Sequence, residues 1–152
     1  MPERKTVPQD PLTYRLFNEI GIINQLSSAA FRQVLPHPLN ASMFGVLNHF
    51  VRLGDGKTPS QLASAFQVTR PSMTATLAKL ERAGLVRIAP GDEDARTKLV
   101  WITEDGRTAR MQAVEATGVL FQRIAPKLSG FDLERLVNEL GELRAILDAD
   151  RD

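Results

Sequence analysis

A mainly α-helical (α+β) fold carrying one small β-hairpin is what this sequence of 152 residues predicts. Three observations carry the expectation. Apolar residues recur at three- and four-residue steps along most of the chain, the spacing of one helix face. Asn, Thr, Ser or Asp precedes most of these runs and Gly or Pro follows most, as helix caps and stops do. Two short apolar runs, LVRIA and KLVWIT, flank the turn PGDEDART and read as paired strands.

Taken in order, residues 12–35 form a long helix. Leu16, Ile20, Ile23, Ala30 and Val34 mark its stripe, Leu12, Leu26 and Phe31 widen it, and Pro36 and Pro38 end it. Asn40 caps a second helix with Phe44, Leu47 and Val51 on one side and Gly54 at its end. Thr58, Pro59 and Gln61 form a capping box with proline at the first helical position. The short helix that follows turns Leu62, Ala63 and Phe66 inward. Val68 lies in a tight turn, and Thr69 caps the next helix, which runs to Gly84. After the two strands, Thr103 caps a helix reaching about residue 125, with Glu104 and Asp105 favourably placed in its first turn. Pro126 interrupts. Ser129 and Asp132 start a last helix carrying Leu133, Leu136, Leu140, Leu143 and Leu147.

Two short helices joined by a tight turn and followed by a two-stranded hairpin make a winged helix-turn-helix. That lobe spans 39–107, within a single domain over 11–152; residues 1–10 read as a flexible, polar N-terminal arm and not as a signal peptide. The helical segments 12–35 and 108–150 lie outside the lobe. Their leucine and isoleucine stripes are wider than a lone winged lobe can cover, so they are expected to pair two copies of the chain as dimerisation helices.

Composition narrows the function. There is no cysteine, which excludes a disulfide framework, cysteine-held zinc, iron–sulfur ligation and thiol redox sensing, and fits a cytoplasmic protein. No apolar run is long enough to span a bilayer, so no membrane partner is expected. His37 and His49 stand 12 residues apart without clustered carboxylates, and no nucleophile elbow, phosphate loop or dinucleotide fingerprint is present. An enzyme, a metal site and a cofactor are therefore not expected. Net charge is +1, but it is unevenly spread: residues 57–110 carry +3 and residues 111–152 carry −3. A basic middle points weakly to a polyanion, and double-stranded DNA is the partner that fits a winged helix-turn-helix.

On a helical wheel Met73, Leu77 and Leu80 fall within about 60° and face the core. The opposite face carries Pro71, Ser72, Ala75, Ala78, Lys79 and Arg82, with Thr74 and Thr76 at its edges and Glu81 as its one acid, near the C-terminal end. Small side chains let a helix approach the floor of a major groove about 12 Å wide. Arg70, Ser72, Thr74, Ala75, Thr76, Lys79 and Arg82 are the candidate contacts of this reading helix, with Thr69 at its cap and Ser60 and Gln61 on the helix before it. The hairpin turn then acts as a wing. Arg96 and Lys98 project from it, and an arginine there can enter a narrow minor groove. Asp94 is expected to orient the wing or Arg96 by a charge-assisted bond, with Asp92 and Glu93 facing solvent. A calcium loop is excluded, because GDEDAR lacks alternating oxygen ligands and a glycine at the sixth position. An acidic face would instead suit a winged helix that binds protein, which remains the alternative role.

The runs LNASMFGVLNHF, TPSQLASAFQVTRPSMTATLAKLERAGLVRI and PGDEDARTKLVWITEDGR resemble the MarR family of bacterial transcriptional regulators. The resemblance covers about residues 39–107. It rests on Leu62–Ala63, Arg70-Pro71-Ser72, Thr74, Leu80-Glu81, Gly84-Leu85-Val86, Asp94 and Arg96 of the wing, and Ile102-Thr103 before Gly106. It implies a homodimer held by its first and last helices, a reading helix in the major groove and a wing arginine in the minor groove of a pseudo-palindromic site. It also implies, for many members, a repressor released by a small aromatic or phenolic effector bound between the dimerisation helices and the DNA-binding lobe. Tyr14, His49 and Trp101 are the candidate residues for such a ligand. Two positions depart from the family pattern. Ala75 stands where many members carry arginine or another long polar side chain, and Ile88 follows Arg87 where a second basic residue is common.

Overall fold

The computed structural model describes residues 10–150, so nearly all of the expected N-terminal arm lies outside the described residues. The element order is α1 (Leu12–Val34), α2 (Ala41–Leu53), α3 (Pro59–Ala65), α4 (Arg70–Arg82), β1 (Val86–Pro90), β2 (Lys98–Ile102), α5 (Glu104–Gln122), a 3-10 turn (Ala125–Leu128) and α6 (Leu133–Ala149). This is the mainly helical winged helix-turn-helix architecture that the sequence predicts, with a long helix at each end.

Side-chain caps fix most helix starts, because the first backbone N–H groups of a helix have no partner within it. Asn40 accepts from the N–H of Met43, Thr69 from Ser72, Thr103 from Gly106 and Asp132 from Arg135. The box at α3 is complete: the Thr58 hydroxyl accepts from Gln61 N at 3.1 Å, and the Gln61 carbonyl accepts from Thr58 N at 2.9 Å. Asp132 alone caps α6; Ser129 belongs to the turn before it, since the 3-10 segment around Pro126 uses it as its own end. For the same reason α5 stops at Gln122, short of residue 125.

The core belongs to the winged lobe. Val46, Leu47, Phe50, Leu62, Leu77, Leu80 and Val100 are its most deeply buried large side chains. Met73, Leu77 and Leu80 face it as the wheel requires. On α2 the inward face is Met43, Val46, Leu47 and Phe50. Val51, expected on that face, is exposed, and Phe44 is half-buried against Phe31 of α1 with ring centroids 4.8 Å apart. The inward stripe of α2 is thus one residue out of phase with the expected one.

The strands pair antiparallel, Val86 opposite Ile102 and Pro90 opposite Lys98. Lys57 adds a one-residue third rung: Val100 N donates to Lys57 O at 2.9 Å, and Gly56 N donates to Val100 O at 2.9 Å. Where α5 leaves the hairpin, Gly106 lies directly against the Leu85 carbonyl and Ile102, and a Cβ there would collide with the carbonyl oxygen. Among the described residues no helix is long and apolar enough to cross a membrane.

Candidate nucleic-acid interface

The turn between α3 and α4 sets the angle at which α4 leaves the lobe. Gln67 adopts φ +52°, a left-handed conformation that few non-glycine residues take. Its own side chain holds it there, with Nε2 donating to Ser64 O at 2.9 Å, while Val68 N donates to Ala63 O at 3.0 Å. Phe66 fills the inside of the turn, and a Cβ on Gly45 of α2 would stand 3.2 Å from its ring, which explains the glycine.

Burying Met73, Leu77 and Leu80 leaves Arg70, Ser72, Thr74, Ala75, Ala78, Lys79 and Arg82 exposed on one side of α4. Thr69 is exposed at its cap. Thr76 turns partly toward α2, and its hydroxyl donates to Ser72 O at 3.2 Å, which leaves its methyl as the freer group. Arg82 folds back, Nε donating to Ala78 O at 3.3 Å. On α3, Ser60 is half-buried; Gln61 is exposed but spends its carbonyl on the capping box.

The wing is a closed loop. Gly91 N donates to Thr97 O at 2.7 Å at its neck. Asp94 organises the tip: Oδ1 accepts from Arg96 N at 2.9 Å, Oδ2 from the Thr97 hydroxyl at 3.3 Å, and its carbonyl from Thr97 N at 3.0 Å. The carboxylate therefore grips the backbone of Arg96 and not its guanidinium. Arg96, Lys98, Asp92 and Glu93 are all exposed. Arg70, Lys79, Arg82, Arg96 and Lys98 make no ion pair among the described residues, so this side of the lobe presents five exposed cations, beside the exposed acids Asp92 and Glu93 of the wing.

Three ties lock the hairpin to the rest of the lobe, and none of them is marked by local spacing. Glu81, the single acid of α4, accepts from Ile88 N at 3.3 Å and joins the helix to β1. Asp55 accepts from Ile102 N at 3.1 Å and lies 4.0 Å from Arg107. Thr103 donates to Gly84 O at 2.7 Å while capping α5. Between α4 and the wing lies a groove of about 450 Å³, with Thr74, Ala78, Glu81, Ile88, Pro90 and Lys98 along it.

The three candidate ligand residues fall in different places. Tyr14 is exposed on α1. Trp101 is half-buried on β2, with its ring against Gly56, and it borders a second groove of about 390 Å³ with Asp92, Glu93 and Leu99 of the wing. His49 packs on Phe66 with ring centroids 5.4 Å apart. Burial, then the neighbouring charges of Lys57 and Arg52, hold its pKa below the usual histidine value. Nearby, Arg110 of α5 donates through Nε and Nη2 to Asn48 Oδ1 at 3.2 and 3.0 Å, fastening α5 to α2. Among the described residues no group of three or more acidic or histidine side chains could hold a metal ion.

Comparison with known proteins agrees with this architecture. Residues 37–97 match the model of the MarR family. The transcriptional activatory protein BadR of Rhodopseudomonas palustris is 27% identical over 139 residues, covering 90% of this chain and 77% of that one. The transcriptional regulator BldR from Sulfolobus solfataricus superposes with a TM-score of 0.69 at 29% identity, covering 88% of this chain and 94% of its own. A mutant MarR from E. coli, solved in complex with operator DNA, gives a TM-score of 0.66 at 26% identity, covering 85% and 93%.

Proposed function

We propose that this chain, whose residues 37–97 match the model of the MarR family, is a dimeric, cytoplasmic repressor that reads a pseudo-palindromic operator and is released by a small aromatic or phenolic ligand. The observation that carries the DNA-binding reading is the side of the lobe where α4 and the wing tip stand together, with five exposed cations that make no ion pair among the described residues. In this reading α4 enters the major groove. Ser72, Thr74 and Ala75 face base edges, with the Thr76 methyl at the border toward α2, while Arg70, Lys79 and Arg82 reach phosphates at the rims. Thr69, Ser60, Gln61 and Lys98 approach the backbone beside them. Arg96 enters the minor groove, held at the right height by the Asp94 turn. The complex of the E. coli relative with operator DNA supports the same role here.

The dimer follows from surface chemistry. Neither α1 nor α6 has a single buried residue. Leu12, Leu26, Val137 and Ile146 are each about two-thirds exposed or more, an arrangement that a twin chain would cover. Residues 12–35 and 108–150 then act as the dimerisation unit and 39–107 as the reading lobe. Pairing places two α4 helices about 34 Å apart, one turn of DNA. The ligand role of Tyr14, His49 and Trp101 rests on the family resemblance. A second reading, activation, is favoured by the name of the R. palustris relative.

The test is selection of random duplexes by the purified protein at low and near-physiological salt. Enrichment of a two-fold pseudo-palindrome that survives the higher salt is the expected outcome. Binding that is weak, unselective and lost with added salt contradicts sequence-specific regulation. Position of the selected site relative to the promoter then separates repression from activation.

A further inference from the structure

We infer that the reading helix recognises its operator chiefly through thymine methyl groups, so that each half-site carries T·A pairs where Pro71, Ala75 and Ala78 meet the groove floor. The inference rests on the DNA-binding reading above and specifies what that surface reads.

The argument starts from which side chains point farthest from the core. Met73, Leu77 and Leu80 define the inward direction of α4. At 100° per residue, the positions most nearly opposite to them are Pro71, Ala75, Ala78 and Arg82. The first three end in aliphatic carbon and carry no side-chain donor or acceptor. Arg82 is the exception, but it lies in the last turn and its Nε is already bound to Ala78 O at 3.3 Å. Bases are read mainly by the N-terminal part of such a helix, so the guanidinium stands at the wrong end. The long cationic side chains that remain, Arg70 and Lys79, lie off the outward line, where the phosphate-bearing rims of a groove would be. Thr74 stands about a quarter-turn from the line with a methyl, and Thr76, half-buried toward α2, has its hydroxyl taken by Ser72 O. Ser72 and Thr74 are left as short hydroxyl groups, which serve several bases alike.

What is missing matters as much. Guanine is read by a bidentate Arg or Lys, and adenine by Asn or Gln. No such side chain stands on the outward line within the first two turns of α4. The one base feature that aliphatic carbon recognises is the C5-methyl of thymine. Small side chains also let the helix axis come closer to the groove floor, which brings the methyls into contact. Discrimination then comes from burying apolar surface, with each lost methyl costing about fourfold in affinity.

The experiment uses the full chain and the site from the duplex selection, remade with deoxyuridine in place of thymidine at successive positions. Deoxyuridine keeps every hydrogen-bonding group and removes only the methyl. We expect affinity to fall about fourfold at each contacted thymine, and 5-bromodeoxyuridine, whose bromine has nearly the volume of a methyl, to restore it. In Ala75→Gly, the deoxyuridine penalty should vanish at the thymine facing residue 75, whatever the variant does to overall affinity. Deoxyuridine duplexes bound as tightly as thymidine ones would overturn the inference while leaving the regulator reading intact. So would a loss of binding on replacing guanine with 7-deazaguanine that exceeds every deoxyuridine effect, because that would show a donor reading guanine. Failure to select any site at either salt would sink this inference together with the function on which it rests.

Discussion

The winged lobe and the flanking helices use the same apolar residues in opposite ways. In the lobe, Leu47, Leu62 and Leu80 are completely buried, and the buried core closes with only Ala113 of α5 added from outside the lobe. In α1 and α6, Leu26, Leu140 and Leu147 remain about half or more exposed, and neither helix buries any residue. The difference is one of geometry rather than composition. A three-helix lobe with a hairpin can surround its own apolar stripe, whereas a long helix at each end of the chain presents a stripe that the chain itself has no surface left to cover. Position is thus set within the chain for the reading surface, and between chains, on our proposal, for the spacing of two such surfaces.

Six changes would break or sharpen that contrast. The largest is in the lobe core: Leu80→Ala should cost about 2–5 kcal/mol of unfolding free energy at every protein concentration. Leu26→Ala on α1 should instead act through association, so its effect on denaturant midpoints should shrink as the protein is diluted. Equal, concentration-independent losses at both positions would erase the distinction. Next, Gly106→Ala forces a methyl onto the Leu85 carbonyl where α5 meets the wing. Overpacking of this kind costs about 1–3 kcal/mol, and thermal unfolding should show it. No loss would mean that α5 can slide, and that the wing base is not rigid.

Arg96→Ala should leave stability unchanged and weaken DNA binding by about 1–3 kcal/mol, measured by titration of the selected duplex. Asp94→Ala should weaken binding too, although it removes a negative charge, because the tip loses the bond that fixes the Arg96 backbone. Tighter binding in the second variant would show Asp94 to be only a repulsive acid. The smallest effect is that of His49. Its folded pKa lies below the unfolded value of about 6.5, with burial as the main cause and the charges of Lys57 and Arg52 adding to it. The unfolded chain therefore binds more protons just below that pH. The stability linked to neutral His49 is complete above about pH 6.5 and is lost as pH falls through the lowered pKa. His49→Phe should flatten the stability profile over that interval, and an unchanged profile would show that the imidazole does not titrate with folding.

Local chemistry was legible in the sequence, and distant chemistry was not. The Thr58–Gln61 box, the Asn40, Thr69, Thr103 and Asp132 caps, and the buried trio of α4 all depend on neighbours within four residues, and each is where the spacing places it. Val51 was misplaced because the phase of a short apolar stripe is ambiguous until its partner is known; α2 turns Met43 and Phe50 inward instead. The ties between elements that spacing misses most completely join residues far apart in sequence. Asp55 reaches Ile102, 47 positions away, and Asn48 holds Arg110 across 62. Nothing local marks them: Asp55 stands between two glycines and reads only as a turn. The outward side chains of α4 are legible from the wheel, but the backbone target of Asp94 and the folded-back Arg82 need coordinates.

The claim that a self-contained reading lobe is doubled by exposed outer helices is tested most directly by the mass and footprint of the protein on its selected duplex. Two chains on one duplex, protecting two half-sites whose centres lie about one helical turn apart, is the predicted result. One chain protecting a single half-site, with the apolar faces of α1 and α6 still open, would contradict it.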